Sequence, residues 1–405
     1  MIKRYFDAGI KRNFSIATIW INGGGDMDSN EKKGINHILC SLLTRGCEGF
    51  DNLEFSNLIE SYGAELNHEV FEDGILISIK TLNAHFNKLF PLLNLMINKP
   101  KLSEIQFEIV KKSTLNLIRK DKENPFNICF EKWRKIVYSK HPYAFNSFGY
   151  EKDVSNILYG DILSEYEKFI KREKNLISNN SEINGDSFES IQQKNFKDYS
   201  NLENYNLNKE LRFISSYCES NQIIIMLGNQ TCSFKSSGYL PLKVLESHLA
   251  YGMSSVLFKL FREKNGITYD VGVFNPIRKG NAPFLVYLSV SNKNALLAFG
   301  ILASLWKELL FSLIDKEKIF IAKQKLKSSF LIRNQSLDEI LQRKIKLISY
   351  GVSPDSYNDY LSKIEAVNRE DIRLLIKKYF SEPFLSINGD KKICLEIKNQ
   401  WMNIF

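Results

Sequence analysis

Apolar positions along the chain alternate between the strand and helix periods. Residues Phe14–Asn22, Phe-Ser-Ile-Ala-Thr-Ile-Trp-Ile-Asn, are apolar almost throughout, as a strand covered on both faces must be. The turn run Gly23-Gly24-Gly25-Asp26 ends it. These glycines do not make a phosphate loop, because no Gly-Lys-Ser/Thr follows and residues 27–33 are polar. Ile35, Ile38, Leu39, Leu42 and Leu43 then recur at helical spacing and predict a helix with one buried face. Further on, 55–62 reads as a short helix, 75–79 as a strand and 86–96 as an apolar helix closed by Lys99-Pro100. A long charged helix over 103–122 stops at Asn124-Pro125. This order predicts a layered mixed α and β domain rather than a helical bundle.

A repeat suggests that the domain occurs twice. Ile183-Asn184-Gly185-Asp186 returns 204 residues later as Ile387-Asn388-Gly389-Asp390. Each copy follows a predicted helix, one opened by Asp161-Ile162 and the other by Asp371-Ile372. With 405 residues, the chain has room for two domains of roughly 200 residues. The expected division is 1–190 and 210–405, joined by a polar linker over 191–209 rich in Asn, Ser, Gln and Lys.

Composition narrows the function by exclusion. At 44% hydrophobic and 25% charged residues, the chain is neither disordered nor fibrous. Its net charge of +9 comes from 55 basic and 46 acidic residues that are interspersed, without the arginine-rich block of a nucleic-acid footprint. No nucleic-acid partner is expected. Cys40, Cys47, Cys129, Cys218, Cys232 and Cys394 are dispersed with no Cys-x-x-Cys pair, which argues for reduced thiols in a cytoplasmic protein. The first twelve residues lack a signal-peptide apolar core, and no run reaches the roughly 18 apolar residues of a membrane span, so no membrane partner is expected either.

The candidate chemistry lies in two short motifs. Gly34-Ile35-Asn36-His37-Ile38-Leu39-Cys40-Ser41-Leu42-Leu43-Thr44-Arg45-Gly46 resembles the signature helix of the insulinase/pitrilysin family of zinc peptidases, the inverted zincins. Their motif is His-x-x-Glu-His. Residues at i and i+4 share a helical face, so two imidazoles can hold one zinc while the Glu acts as base toward the metal-bound water. Here His37 keeps the first position, Cys40 stands at the base and Ser41 at the second ligand. The resemblance implies a third ligand, a Glu before a basic stretch and a Pro; counting back from Asn124-Pro125 puts Leu117 there. Leucine binds no zinc, and Asn116 or Ile118, one residue either way, serves no better. A residual site of His37 and Cys40 at i, i+3, with His68, is the alternative, although it lacks the carboxylate base.

The other motif is intact. Leu257-Phe258-Lys259-Leu260-Phe261-Arg262-Glu263-Lys264-Asn265-Gly266-Ile267-Thr268-Tyr269-Asp270-Val271 resembles the same family's second signature, an Arg near a helix end and a Tyr entering the next strand. The resemblance implies that Arg262 binds substrate carbonyls and that Tyr269 donates to the oxyanion of a tetrahedral intermediate. The plainer reading is a surface Arg and a structural Tyr. His141-Pro142-Tyr143 and Phe148-Gly149 extend the resemblance toward the whole chain.

Such a chain is expected to be α+β, with two homologous domains, each an antiparallel-type sheet packed with helices, together forming half of a clamshell. The resemblance further implies a non-catalytic subunit of a heterodimeric peptidase, similar to two-component bacterial members and mitochondrial processing peptidase. No metal is expected in this chain. Zinc is expected in a paralogous partner with an intact His-x-x-Glu-His, and the substrates are unfolded peptides. The alternative function is an inactive homologue serving as a structural or peptide-binding protein.

Overall fold

The two halves of the chain run through closely similar orders of elements. The computed structural model describes residues 2–7, 12–183, 209–268, 270–353 and 359–405. The first half contains β1 (Ile2–Phe6), β2 (Phe14–Asn22), α1 (Ile35–Leu43), α2 (Asn52–Ser61), β3 (Glu65–Val70), β4 (Gly74–Leu82), α3 (Phe86–Asn98), α4 (Glu104–Glu123), α5 (Pro125–Tyr138), α6 (Glu151–Asn156), α7 (Tyr159–Phe169) and β5 (Lys174–Ser178). The second contains β6 (Phe213–Tyr217), β7 (Gln222–Gln230), α8 (Tyr239–Ala250), a π-helical segment Phe258–Lys264, β8 (Asp270–Phe274) and β9 (Pro283–Ser291). It continues with α9 (Ala295–Phe311), α10 (Lys316–Arg333), α11 (Leu337–Ser349), α12 (Tyr360–Ala366), α13 (Arg369–Tyr379), β10 (Phe384–Gly389) and α14 (Lys391–Ile404).

Two five-stranded sheets result, ordered β1-β5-β2-β4-β3 and β6-β10-β7-β9-β8. In each, the first pair is parallel and the other pairs are antiparallel. The duplication is therefore real, but the tetrapeptide repeat does not mark it. Helices α7 and α13 begin 210 residues apart, as do β5 and β10. Ile387 lies inside β10, whereas Ile183 ends a 3-10 turn beyond β5, and residues 184–186 lie outside the described residues. A spacing of 204 pairs unlike positions, so the matching letters are coincidence.

Packing also departs from chain order. One compact unit comprises 1–120, 145–196 and 333–355, the other 121–144, 197–332 and 356–405. Each half thus lends a helix to the other's sheet, which a single division between 190 and 210 does not capture. Most of the expected linker, 191–208, lies outside the described residues.

In the first unit, Ala17, Ile19 and Ile21 of β2 and Ile75, Ile77 and Ile79 of β4 face a core shared with α1, α3 and α7. Residues alternate across a strand, so Trp20 points to the opposite face. Helix α11 covers that face: Tyr350, just past its end, meets the Trp20 ring edge-on at 6.1 Å, and Lys346 lies over Phe71 at 4.1 Å. Tyr350 also donates to Asp73 Oδ2 at 2.9 Å, and Asn175 Nδ2 donates to Ser349 Oγ at 3.1 Å.

In the second unit, Ile223, Ile225 and Leu227 of β7 join the core under α8, α9 and α13. Helix α5 takes the other face. Asn124 caps its start, with Pro125 at the first position, where a missing N–H costs nothing. Its fully buried Trp133 donates from Nε1 to the Phe384 carbonyl at 3.2 Å, and Ser386 Oγ donates to the Cys129 carbonyl at 2.8 Å.

No uninterrupted apolar run of 18 residues occurs, but among the described residues one helix meets the test of length and mean hydropathy. Residues 292–311 are long and apolar enough to cross a membrane. The stretch overlaps α9, whose Ala298, Phe299, Leu302, Ala303 and Trp306 are buried in the second unit's core, and this accounts for its apolarity.

If α5 holds the second unit's sheet, Trp133→Ala should cost about 3–5 kcal/mol. Hydrogen exchange should locate the loss of protection in β6, β7 and β10. Loss in β2 and β4 instead would contradict this assignment of α5.

Candidate functional site

Helix α1 is set by a buried polar anchor. Asp28 accepts hydrogen bonds from Gly34 N at 2.6 Å and from Asn36 N and Nδ2 at 3.2 and 2.7 Å. This satisfies backbone donors that a helix start leaves open. Gly34 has φ +95°, and a Cβ there would fall 2.3 Å from the Phe148 carbonyl oxygen. A Cβ on Gly149 would in turn fall 2.0 Å from the Lys33 carbonyl oxygen. The Phe148-Gly149 pair is therefore a backbone rest for the start of α1, and both glycines are required there. Neither Asp28 nor this close approach was visible as helical periodicity; the only signal was a polar loop before the helix.

From that start, the helix directs His37 and Ser41 to one partly exposed face and Cys40 into the core. The His37 ring meets Phe148 edge-on at 4.9 Å. Burial, and then the neighbouring His68, lower its pKa to about 4, so the imidazole is neutral near pH 7. His68 arrives from β3, and its Nε2 lies 3.3 Å from Ser41 Oγ. Withdrawal from water, and then Arg45, lower the His68 pKa as well.

These residues do not fit a zinc ion. Cys40 is 0% exposed and packs in the core with Ile38, Leu39 and Leu42, as a small apolar residue does. Leu117 is on α4 and 46% exposed, with no donor to offer. Among the described residues no group of three or more His, Cys, Asp and Glu side chains is placed to hold a metal. The alternative set of His37, Cys40 and His68 is not among such groups, and Cys40 belongs to the core while His37 and Ser41 are partly exposed.

The Arg262 motif has a distinct local geometry. The helix widens to π form over Phe258–Lys264, a rare conformation frequent at functional sites. It closes through Ile267 N to the Phe261 carbonyl at 2.9 Å and Gly266 N to the Arg262 carbonyl at 3.2 Å. Gly266, at φ +59°, makes the left-handed exit. Buried Phe261 anchors the segment, while Arg262 is exposed with its guanidinium over the Phe258 ring at 5.0 Å. Tyr269 lies outside the described residues; β8 begins at the next residue. By topology, the π-helical segment and β8 occupy the places that α2 and β3 hold in the first sheet.

Asp28 offers a pH signature of the α1 anchor. Burial raises its pKa from 3.8 to about 6, against opposing hydrogen bonds from Gly34 and Asn36 and the charge of Lys33. The folded state holds this proton more tightly than the unfolded state, so the stabilisation is present below pH 3.8 and is lost as pH rises through about 6. Urea unfolding at a series of pH values should show Asp28→Asn less stable overall but without this decline. An identical pH profile in both proteins would rule out the raised carboxyl.

Comparison with known proteins covers most of the chain. A family model described as Insulinase (Peptidase family M16) matches residues 10–149, and one described as Peptidase M16 inactive domain matches 160–326. An uncharacterized zinc protease of Rickettsia felis is 22% identical over 376 residues, covering 88% of each chain. The uncharacterized zinc protease YmxG of Bacillus subtilis is 22% identical over 377 residues, covering 90% of each. A crystal structure of a peptidase M16 inactive domain from Pseudomonas fluorescens superposes with TM-score 0.80 at 17% identity, over 96% of this chain and 95% of that one. A protease from Helicobacter pylori gives TM-score 0.80 at 17% identity, over 94% and 95%. At such identities the structural likeness concerns the fold.

Proposed function

Because this chain belongs to the insulinase (M16) peptidase family, we propose that it is the non-catalytic, substrate-binding subunit of a heterodimeric zinc metallopeptidase that cleaves unfolded peptides. Zinc and the general base come from a paralogous partner with an intact His-x-x-Glu-His, and this chain supplies Arg262 and Tyr269. The setting is cytoplasmic.

One observation carries the reading: the two motifs have fared differently. The metal helix is still folded and anchored, yet Cys40, Ser41 and Leu117 stand where chemistry requires a base and two ligands. Arg262, by contrast, remains exposed on a π-helical turn, and Tyr269 remains in the sequence immediately before Asp270. In this role Arg262 donates to substrate carbonyl oxygens through its planar fork of N–H groups. Tyr269 donates its hydroxyl proton in a hydrogen bond to the oxygen that becomes negative as water, activated on the partner, adds to the peptide carbon.

Reconstitution with the zinc-bearing partner tests both residues. Tyr269→Phe should lower peptide turnover about 10²- to 10³-fold, the usual cost of one oxyanion donor, while complex assembly and zinc content stay unchanged. Arg262→Ala should raise KM as well, since it removes contacts to bound substrate. Full activity of both variants in the complex would favour a structural or peptide-binding homologue instead.

A further inference from the structure

The second unit contains a cavity of about 560 Å³ that the peptidase reading does not use. Its walls are the end of α8, the π-helical segment, the end of α9 with residues 312–315, and α10. Lys259 and Lys264 of the π-helical segment line it, but Arg262 does not. A volume of this size suits a small organic ligand rather than a single ion.

The wall is divided chemically. Leu260, Leu305 and Leu309 make an apolar part. On the polar part, Lys259, Lys264, Lys318 and Lys325 converge against two carboxylates, Glu308 and Asp315. Asp315 is already paired to Lys318 at 3.0 Å. Among the described residues, no carboxylate lies within ion-pair distance of Lys259, Lys264 or Lys325. Lys318 and Lys325 stand seven residues apart and so share a face of α10.

The cations act on one another. Burial, and then Lys259, weaken the hold of Lys325 on its proton. His248 at the same cavity is brought to about 4, first by burial and then by Lys318 and Lys325, and is neutral near pH 7. Lys259, Lys264 and Lys318 are exposed and Lys325 is half-buried, so the wall presents four cations against two carboxylates beside an apolar patch, and an anion is attracted there.

We infer that this cavity binds a small amphiphilic anion, a carboxylate or phosphate on a short apolar body, with its head group among Lys259, Lys318 and Lys325 and its body against Leu260, Leu305 and Leu309. No reaction and no partner chain are involved, so the inference stands or falls separately from the peptidase role.

Calorimetric titration of the full chain with octanoate, octyl phosphate, octanol and inorganic phosphate tests it. At least one of the two charged amphiphiles should bind tenfold or more tightly than both octanol and inorganic phosphate, and the tighter of the two identifies the head group. Octanol binding as tightly as the charged amphiphiles, or no binding by either amphiphile, would overturn the assignment. Lys325→Met should weaken the preferred amphiphile at least tenfold, with a melting temperature equal to or above that of the parent, because it removes repulsion rather than a structural contact. Lys259→Met serves as a second variant should Lys325→Met fail to fold. Lys112→Met on α4 removes the same charge elsewhere and should leave binding unchanged; a loss equal to that of Lys325→Met would reduce the effect to net charge and overturn the site.

Discussion

A sheet whose central strands are apolar on both faces must be covered on both, and in this protein the second cover comes from the other half of the chain. Trp20 needs α11, and β10 needs Trp133 of α5. Neither half carries a complete set of covers in its own sequence. Isolated halves would each expose one face of a strongly apolar sheet, which links the folding of the two copies even though each has its own core.

That dependence explains how the metal helix can lose its chemistry and keep its place. Helix α1 is held by Ile35, Ile38, Leu39, Leu42 and Leu43 in the core, by Asp28 at its start and by the approach of Gly34 to Phe148-Gly149. None of these contacts involves a metal ligand. With folding independent of the ion, Cys40 can serve as a small core residue and Ser41 can sit beside His68 at no evident cost to the fold.

Much of the fold was legible in the sequence because periodicity reports burial. Residues Phe14–Asn22 form β2 over the expected span, and the apolar spacing after Gly34 gives α1. The exchange of α5 and α11 was not legible, since periodicity shows that a helix has a buried face but not which sheet receives it. Strand β3 escaped for a related reason: Glu65, Asn67, His68 and Glu69 are exposed on an edge strand and carry little alternation. The apolar span over 292–311 does not read as a continuous run because Lys293 and Lys307 interrupt it. At the site, resemblance to the family's signatures singles out His37, Cys40, Ser41 and Arg262 as candidates. The inward turn of Cys40 and the π-helical form around Arg262 depend on three-dimensional packing and were not legible.

The central claim is that this chain completes a site it cannot form alone. The most direct measurement is zinc content and chelator-sensitive peptide cleavage for this chain, for its paralogous partner and for the mixture of the two. The account predicts zinc on the partner, none on this chain, and turnover only in the mixture. Stoichiometric zinc on the isolated chain together with chelator-sensitive cleavage, or partner turnover that this chain does not increase, would contradict it.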